Sequence, residues 1–393
     1  MTARRRDVAL LFGALGAFFL SISLLLATLP LYVRDLGGSP VVVGLVIGAF
    51  SLGVLLARPF AGRAVDRGGG RMVLVVGGAV AAAMVPLYLI TALVALAAVR
   101  VVHGAGLSAF TSASTTLVAD LAPPGRRTEF LGWLSTSGIV AFAIGPVIGI
   151  EVARHWGWLA LFALASACAL ASVACGAGLS RPDKSSETER RIDYRAAILR
   201  REVLVPTVTM LLVISAHGGA FTFLPLMLEE RLAFNFGLYF LVYSSGSLCV
   251  RVAAGWLSRR VGDGPMIWGG LGVYATGMAL MPFVHGATTM AMSAALFGAG
   301  FGTYQPAIYG IVADAASDRA RGMVMSVLLG AFDLGMGLGG LVSGPIAEAF
   351  GVPALLGGLA IVPLVAAVIF VGWLGWQPRP SSECEGLAEA AVP

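Results

Sequence analysis

With 393 residues, 58% of them hydrophobic and only 12% charged, the chain lacks the polar surface of a soluble domain, where charged residues make up about 25%. A mean hydropathy of +0.88 makes lipid the solvent this chain needs. The formal net charge of +5 raises the question of a nucleic-acid partner, which the placement of the charge answers below.

Twelve windows of about 20 apolar residues, the length that crosses a bilayer, follow in chain order at 8–31, 40–61, 72–91, 94–119, 128–150, 157–178, 203–228, 236–257, 266–284, 288–313, 322–347 and 353–376. The first follows Arg4-Arg5-Arg6-Asp7 and runs to Leu31 with no small-residue cleavage site, so it reads as an uncleaved span rather than a signal peptide. Windows 3 and 4 nearly meet at Thr91 and leave room only for a tight loop. The 52 glycines suit close helix packing inside a bilayer. Cys168, Cys175, Cys249 and Cys384 show no ligand or disulfide spacing and read as free thiols; neither a metal nor a cofactor is expected.

Arginine and lysine divide unequally between the two ends of these windows. Twenty lie on the side of the N-terminus, and three, Arg34, Arg154 and Arg231, on the other. That bias places both termini in the cytoplasm and accounts for the net charge without nucleic acid. Lys184 is the one lysine, a usage typical of GC-rich genomes, so the expected location is a bacterial inner membrane. Arg58, Arg100 and Arg251 fall inside windows or at their ends.

The chain repeats itself. A shift of 193 places Gly53, Arg58, Gly62, Arg67 and Gly69 on Gly246, Arg251, Gly255, Arg260 and Gly262. A shift of 194 places Gly104-Ala105-Gly106 on Gly298-Ala299-Gly300, Val118-Ala119-Asp120 on Val312-Ala313-Asp314, and Arg127 on Arg321. Two parallel six-span halves follow, residues 1–179 and 203–377, joined by a polar linker at 180–202 and followed by a disordered tail at 378–393. The predicted fold is an all-α polytopic membrane protein, two pseudo-symmetric bundles with a site between them at mid-membrane.

Gly62-Arg63-Ala64-Val65-Asp66-Arg67-Gly68-Gly69-Gly70-Arg71 is similar to the loop 2–3 motif of the major facilitator superfamily, with Ala64 in place of leucine. The resemblance implies a conformational latch made by Gly62, Asp66, Arg67, Gly69 and Arg71. Arg100 and His103 lie in a stretch similar to the span-4 motif, with His103 in place of glutamine. The resemblance links Arg100 to proton movement. Gly138, Gly145, Pro146 and Gly149 match part of the span-5 antiporter motif, in which Ala141 and Ile150 replace two glycines. They are also expected to pack helices, and Gly335, Gly337, Gly339, Gly340 and Gly344-Pro345 repeat that pattern in span 11.

Asp333 is the one acidic residue near the middle of a window. A lone carboxylate there is expected to be partly protonated and to couple transport to protons, or else to bond a neighbouring helix. His103 and His217 lie at similar depth and can relay protons or serve as neutral core residues. In the family, spans 1, 4, 7 and 10 line the cavity. The candidates on them are Phe110, Thr111, Phe221, Tyr304, Gln305 and Tyr309; Phe110 and Thr111 are the repeat equivalents of Tyr304 and Gln305.

No nucleotide-binding loop or catalytic constellation is present in the sequence. The expected function is not that of an enzyme. It is a secondary transporter, resembling the bacterial twelve-span drug and sugar efflux branch, which exchanges protons for small amphiphilic compounds or metabolites by rocking its halves. The alternatives are a proton symporter importing a sugar or organic acid and, further off, a non-transporting sensor. The expected partners are a small-molecule substrate, protons and lipid, with the chain acting as a monomer.

Overall fold

The computed structural model describes residues 3–123, 126–180, 200–316 and 321–375. The predicted tail, and the predicted linker between 181 and 199, lie outside the described residues. The described chain is helical: α1 (Ala3–Leu24), α2 (Thr28–Asp35), α3 (Pro40–Ala64), α4 (Gly70–Met84), α5 (Leu93–Leu121), α6 (Arg127–Ala177), α7 (Arg201–Arg231), α8 (Leu238–Val261), α9 (Asp263–Ala279), α10 (Ala287–Ala315), α11 (Arg321–Phe350), α12 (Val352–Leu359) and α13 (Ile361–Gly375). Window 1 is broken after Leu24 into α1 and α2, and window 12 at Ala360 into α12 and α13. Pro86 opens a short 3-10 turn that ends window 3, and α5 starts at Leu93 as the tight loop at Thr91 requires.

Nine helices among the described residues are long and apolar enough to cross a membrane unaided, against the twelve predicted windows. Windows 5 and 6 share the single long helix α6. Among the described residues α8 offers the shorter apolar stretch Leu238–Ala253. Helix α10 is diluted by Thr303, Tyr304 and Gln305 and is not among the nine.

Helix α6 is two arms. Gly157 holds φ 78 and ψ 177, a backbone state that suits glycine. The reversal there follows from contacts to α1. Phe12 meets Phe130 at 6.3 Å between ring centroids, while Gly13 stands against Cys175. On a straight helix positions 130 and 175 would be about 67 Å apart. Likewise Ser21 donates to the Ala165 carbonyl at 2.7 Å while Gly145 presses on Ser23. Both arms therefore flank α1, one running in each direction.

Helices α1–α6 pack mainly on one another, as do α7–α13. The main contacts across the groups are α3 against α11 and α6 against α8. The first is a glycine seam running antiparallel: Gly44 against Gly340, Gly48 against Gly337, and Gly344 against Pro40 and Val41. A Cβ on Gly48 would stand 2.8 Å from the Gly337 carbonyl oxygen. Small residues let two backbones touch where lipid offers no hydrophobic drive. The seam lies toward the arginine-poor end. Gly62 and Gly330, further toward the arginine-rich end of the same helices, would meet nothing within 4 Å.

Candidate functional site

Past the glycine seam, the two groups are joined by charge. Arg58 of α3 donates through Nη2 to Asp333 of α11, and the two side chains are only 25% and 18% exposed. Asp333 is therefore not the lone carboxylate expected from sequence; its counter-charge comes from a residue 275 positions away. An ion pair taken out of water is held only where the partners satisfy each other, so this pair ties the two groups together with a titratable link. Arg251 of α8, the repeat equivalent of Arg58, donates through Nη2 to the Gln305 side-chain oxygen and lies 3.4 Å from the Ser247 hydroxyl. Tyr309 lies within electrostatic reach of Arg58, Arg251 and Asp333 together. Gln305, Tyr309 and Asp333 thus come to one place, with Arg58 and Arg251, which the sequence reading left without a role. The repeat at 193 residues was the signal available for both.

The span-4 candidates form a second, separate group. Arg100 donates to the Tyr88 hydroxyl at 3.3 Å, and Tyr88 shares a hydrogen bond of 2.6 Å with His103 Nδ1. The Arg100 guanidinium lies 4.1 Å from the Phe50 ring centroid, a cation–π contact. His103 is fully buried and its Nε2 has no partner among the described residues. Tyr88, which bridges the two motif residues, lies in the 3-10 turn at the end of window 3 and belongs to neither motif, so nothing in the sequence pattern singles it out. His217 shares a 2.7 Å hydrogen bond with Tyr274 and is ringed by Phe221, Tyr243, Phe297 and Phe301, with Phe221 stacked at 4.1 Å.

Not every cavity candidate reaches open space. Phe110 is fully buried and stacked on Phe18 at 3.7 Å, inside the first group of helices. Tyr304, its repeat equivalent, is likewise fully buried, against Tyr274 and Phe301. Thr111 returns its hydroxyl to the Leu107 carbonyl at 2.9 Å. The fully buried stack gives a prediction: Phe110→Ala lowers stability by about 3–5 kcal/mol, as large aromatic truncations in cores do. Thermal unfolding in detergent reads this, and a variant with wild-type stability and altered substrate affinity would place Phe110 at the substrate instead.

Of the residues expected to form a latch, Asp66, Arg67 and Gly69 lie in a π-helical turn, Val65–Gly69, while Gly62 lies in the last turn of α3 and Arg71 in the first turn of α4. A Cβ on Gly69 would stand 2.8 Å from the Ala64 carbonyl oxygen, and Arg71 donates to the Ala177 carbonyl. Asp66 and Arg67 are exposed, and neither makes a side-chain bond to another described residue. In the span-5 motif, Gly145 and Gly149 press on Ser23 and Leu24 of α1, Pro146 lies inside α6, and Gly138 would meet nothing within 4 Å. No group of three or more His, Cys, Asp or Glu residues placed to hold a metal occurs among the described residues.

The arginine-poor end carries a set of contacts between the groups. Arg154 pairs with Glu229 at 2.6 Å and Arg34 with Glu230 at 3.5 Å. Asn235 donates to Glu151 at 2.7 Å and to the Val147 carbonyl at 2.9 Å. Val41 N donates to Glu348 at 3.3 Å. Some of the same side chains line a cavity of about 200 Å³, bordered in part by Thr28, Arg34, Arg154, Trp158 and Glu229.

The family model described as Major Facilitator Superfamily matches residues 11–292 and 233–392. The chain belongs to the major facilitator superfamily. It is 27% identical over 390 residues to the uncharacterized MFS-type transporter YhhS of Escherichia coli O6:H1, covering 95% of this chain and 93% of the relative. It is 24% identical over 386 residues to the staphylopine export protein of Staphylococcus aureus, covering 93% and 95%. The solved nucleoside transporter NupG superposes with a TM-score of 0.79 at 14% identity, over 96% of this chain and all of that one, which shows a shared fold. This superfamily member is thus a multi-pass membrane transporter of small molecules, and not an enzyme. Its cross-group pair, Arg58–Asp333, is the feature that the motifs alone did not reveal.

Proposed function

We propose that this transporter is a proton-coupled exporter of small amphiphilic compounds or metabolites, working by rocking two six-span halves in a bacterial inner membrane. The arginine-rich end is the cytoplasmic one, with both termini there, and the glycine seam and ion pairs between the halves gather toward the opposite, outer end. The observation that carries this reading is the Arg58–Asp333 pair, a carboxylate whose protonation would release one half from the other. The glycine seam and the Arg154–Glu229 and Arg34–Glu230 pairs act as the outer closure. The exposed Asp66 and Arg67 belong to a latch that engages when the cytoplasmic side closes. The span-5 glycines and the similarity to an export protein support the outward direction. Arg100, Tyr88 and His103 provide a buried polar chain in the first half that can pass a proton, and His217 with Tyr274 its counterpart in the second.

Direction is tested in intact cells. Cells producing the protein are expected to hold less of a transported compound than cells producing a transport-dead variant. Accumulation instead would make the protein an importing symporter of a sugar or organic acid.

A further inference from the structure

We infer that the transported compound carries an anionic group, a carboxylate or a phosphate, and that Arg251 is the residue that binds it. The inference rests on the reading of this chain as a carrier whose site lies between its halves. It begins with a charge imbalance at that place. Arg58 and Arg251 occupy equivalent positions in the repeat, on α3 and α8. Arg58 is neutralised by Asp333 from the opposite half. Arg251 meets no carboxylate among the described residues. Its acceptors are neutral: the Gln305 amide through Nη2 and, at 3.4 Å, the Ser247 hydroxyl through Nε. The residue at Asp333's place in the first half, at a shift of 194, is Ile139, which supplies no charge.

A part-buried guanidinium without a counter-charge is costly. It also has five N–H donors in a planar fork that matches a carboxylate or phosphate in two-point contact. Arg251 Nη1 has no bond to a described residue, so the fork is only partly used. An arriving anion would take the place of the Gln305 oxygen and supply the missing charge. The surroundings fit the rest of an amphiphilic molecule. The Arg251 guanidinium lies 5.7 Å from the Phe301 ring centroid, and Phe301 borders Tyr243, Tyr304 and His217. An apolar or aromatic body would rest against these rings while its charged end meets Arg251. Among the described residues the one carboxylate in the cluster, Asp333, is engaged by Arg58, which leaves a cationic ligand no free described partner there.

The test uses the purified full chain in detergent and a panel with equal numbers of carboxylates, phosphates, cations and neutral compounds. Thermal stabilisation finds the ligands, and calorimetry measures their affinity. The stabilising compounds are expected to be anionic, and the carboxylate and phosphate arms say which group is preferred. Arg251→Gln should weaken their binding about tenfold or more, and Arg251→Lys should recover part of it, since lysine keeps the charge and loses the fork. Size-exclusion profiles establish that both variants are folded. If Arg251→Gln does not fold, the wild-type preference and the Arg251→Lys affinity still decide. The inference is overturned if the stabilising compounds are cationic or neutral, if no member of the panel binds, or if an anionic ligand binds a folded Arg251 variant with wild-type affinity. Binding needs no gradient. An anion that binds through Arg251 yet never moves against protons would overturn the antiport reading alone, and a cation that does exchange for protons would overturn this inference alone.

Discussion

Asp333→Asn is expected to abolish proton-driven transport, with a loss of more than about tenfold, while leaving the protein folded. Asparagine keeps the size of the side chain and an oxygen that can accept from Arg58, but it cannot carry the proton. The link between α3 and α11 then persists in a form that no longer responds to the gradient. Asp333→Ala should do more. It leaves Arg58 without its partner in a part-buried position, and breaking a buried pair by removing one member costs about 3–5 kcal/mol. Lower thermal stability and yield should therefore accompany the loss of transport in the alanine variant and not in the asparagine variant. Proteoliposomes with an imposed pH gradient measure the first effect, and unfolding in detergent the second. A D333N protein that still exchanges substrate for protons would remove Asp333 from the mechanism.

The second large effect is expected from fastening the glycine seam between α3 and α11. A Cβ on Gly344 would lie 2.9 Å from Val41 Cα, closer than a Cβ sits in real structures, so cysteines at the two positions can be bridged once the seam widens slightly to disulfide spacing. If α3 and α11 must part there for the site to face outward, oxidised V41C/G344C should lose essentially all transport. A reductant should restore it. The single variants should transport, although the side chain added at Gly344 wedges the seam and is expected to cost about 1–3 kcal/mol through overpacking. Undiminished transport by the fully bridged protein would mean that the halves do not separate along this seam, and would favour a carrier that moves in another way.

Much of the fold was legible in the sequence because the bilayer sets a single length scale. Apolar runs of the right size marked where most of the helices lie. The breaks were harder to read. Windows 5 and 6 were placed correctly, yet the turn between them is a single glycine, Gly157, within one continuous helical stretch. The site was legible in residue type and less so in partnership. Asp333 stood out by its depth, but Arg58 lies 275 residues away near the end of its window, so its pairing is purely tertiary. Phe110 was misplaced toward the cavity because α5 is apolar on most of its surface. Such a helix does not reveal which face meets the core and which the site, and Phe18 turned out to be its neighbour. The contacts at the arginine-poor end had a trace in the sequence, since Arg34 and Arg154 are two of only three arginines at that end. Their partners Glu229 and Glu230 lie in the other half and could be matched to them only in three dimensions.

The central claim, export by proton exchange, is tested most directly in inside-out membrane vesicles energised to an acid interior and monitored with a pH-sensitive dye. Anionic, cationic and neutral amphiphiles and small metabolites are added one at a time. At least one compound is expected to discharge the gradient in vesicles holding the wild-type protein and to leave it intact in vesicles holding D333N. If no compound discharges it while the protein is folded and abundant, the exchange of substrate for protons is contradicted.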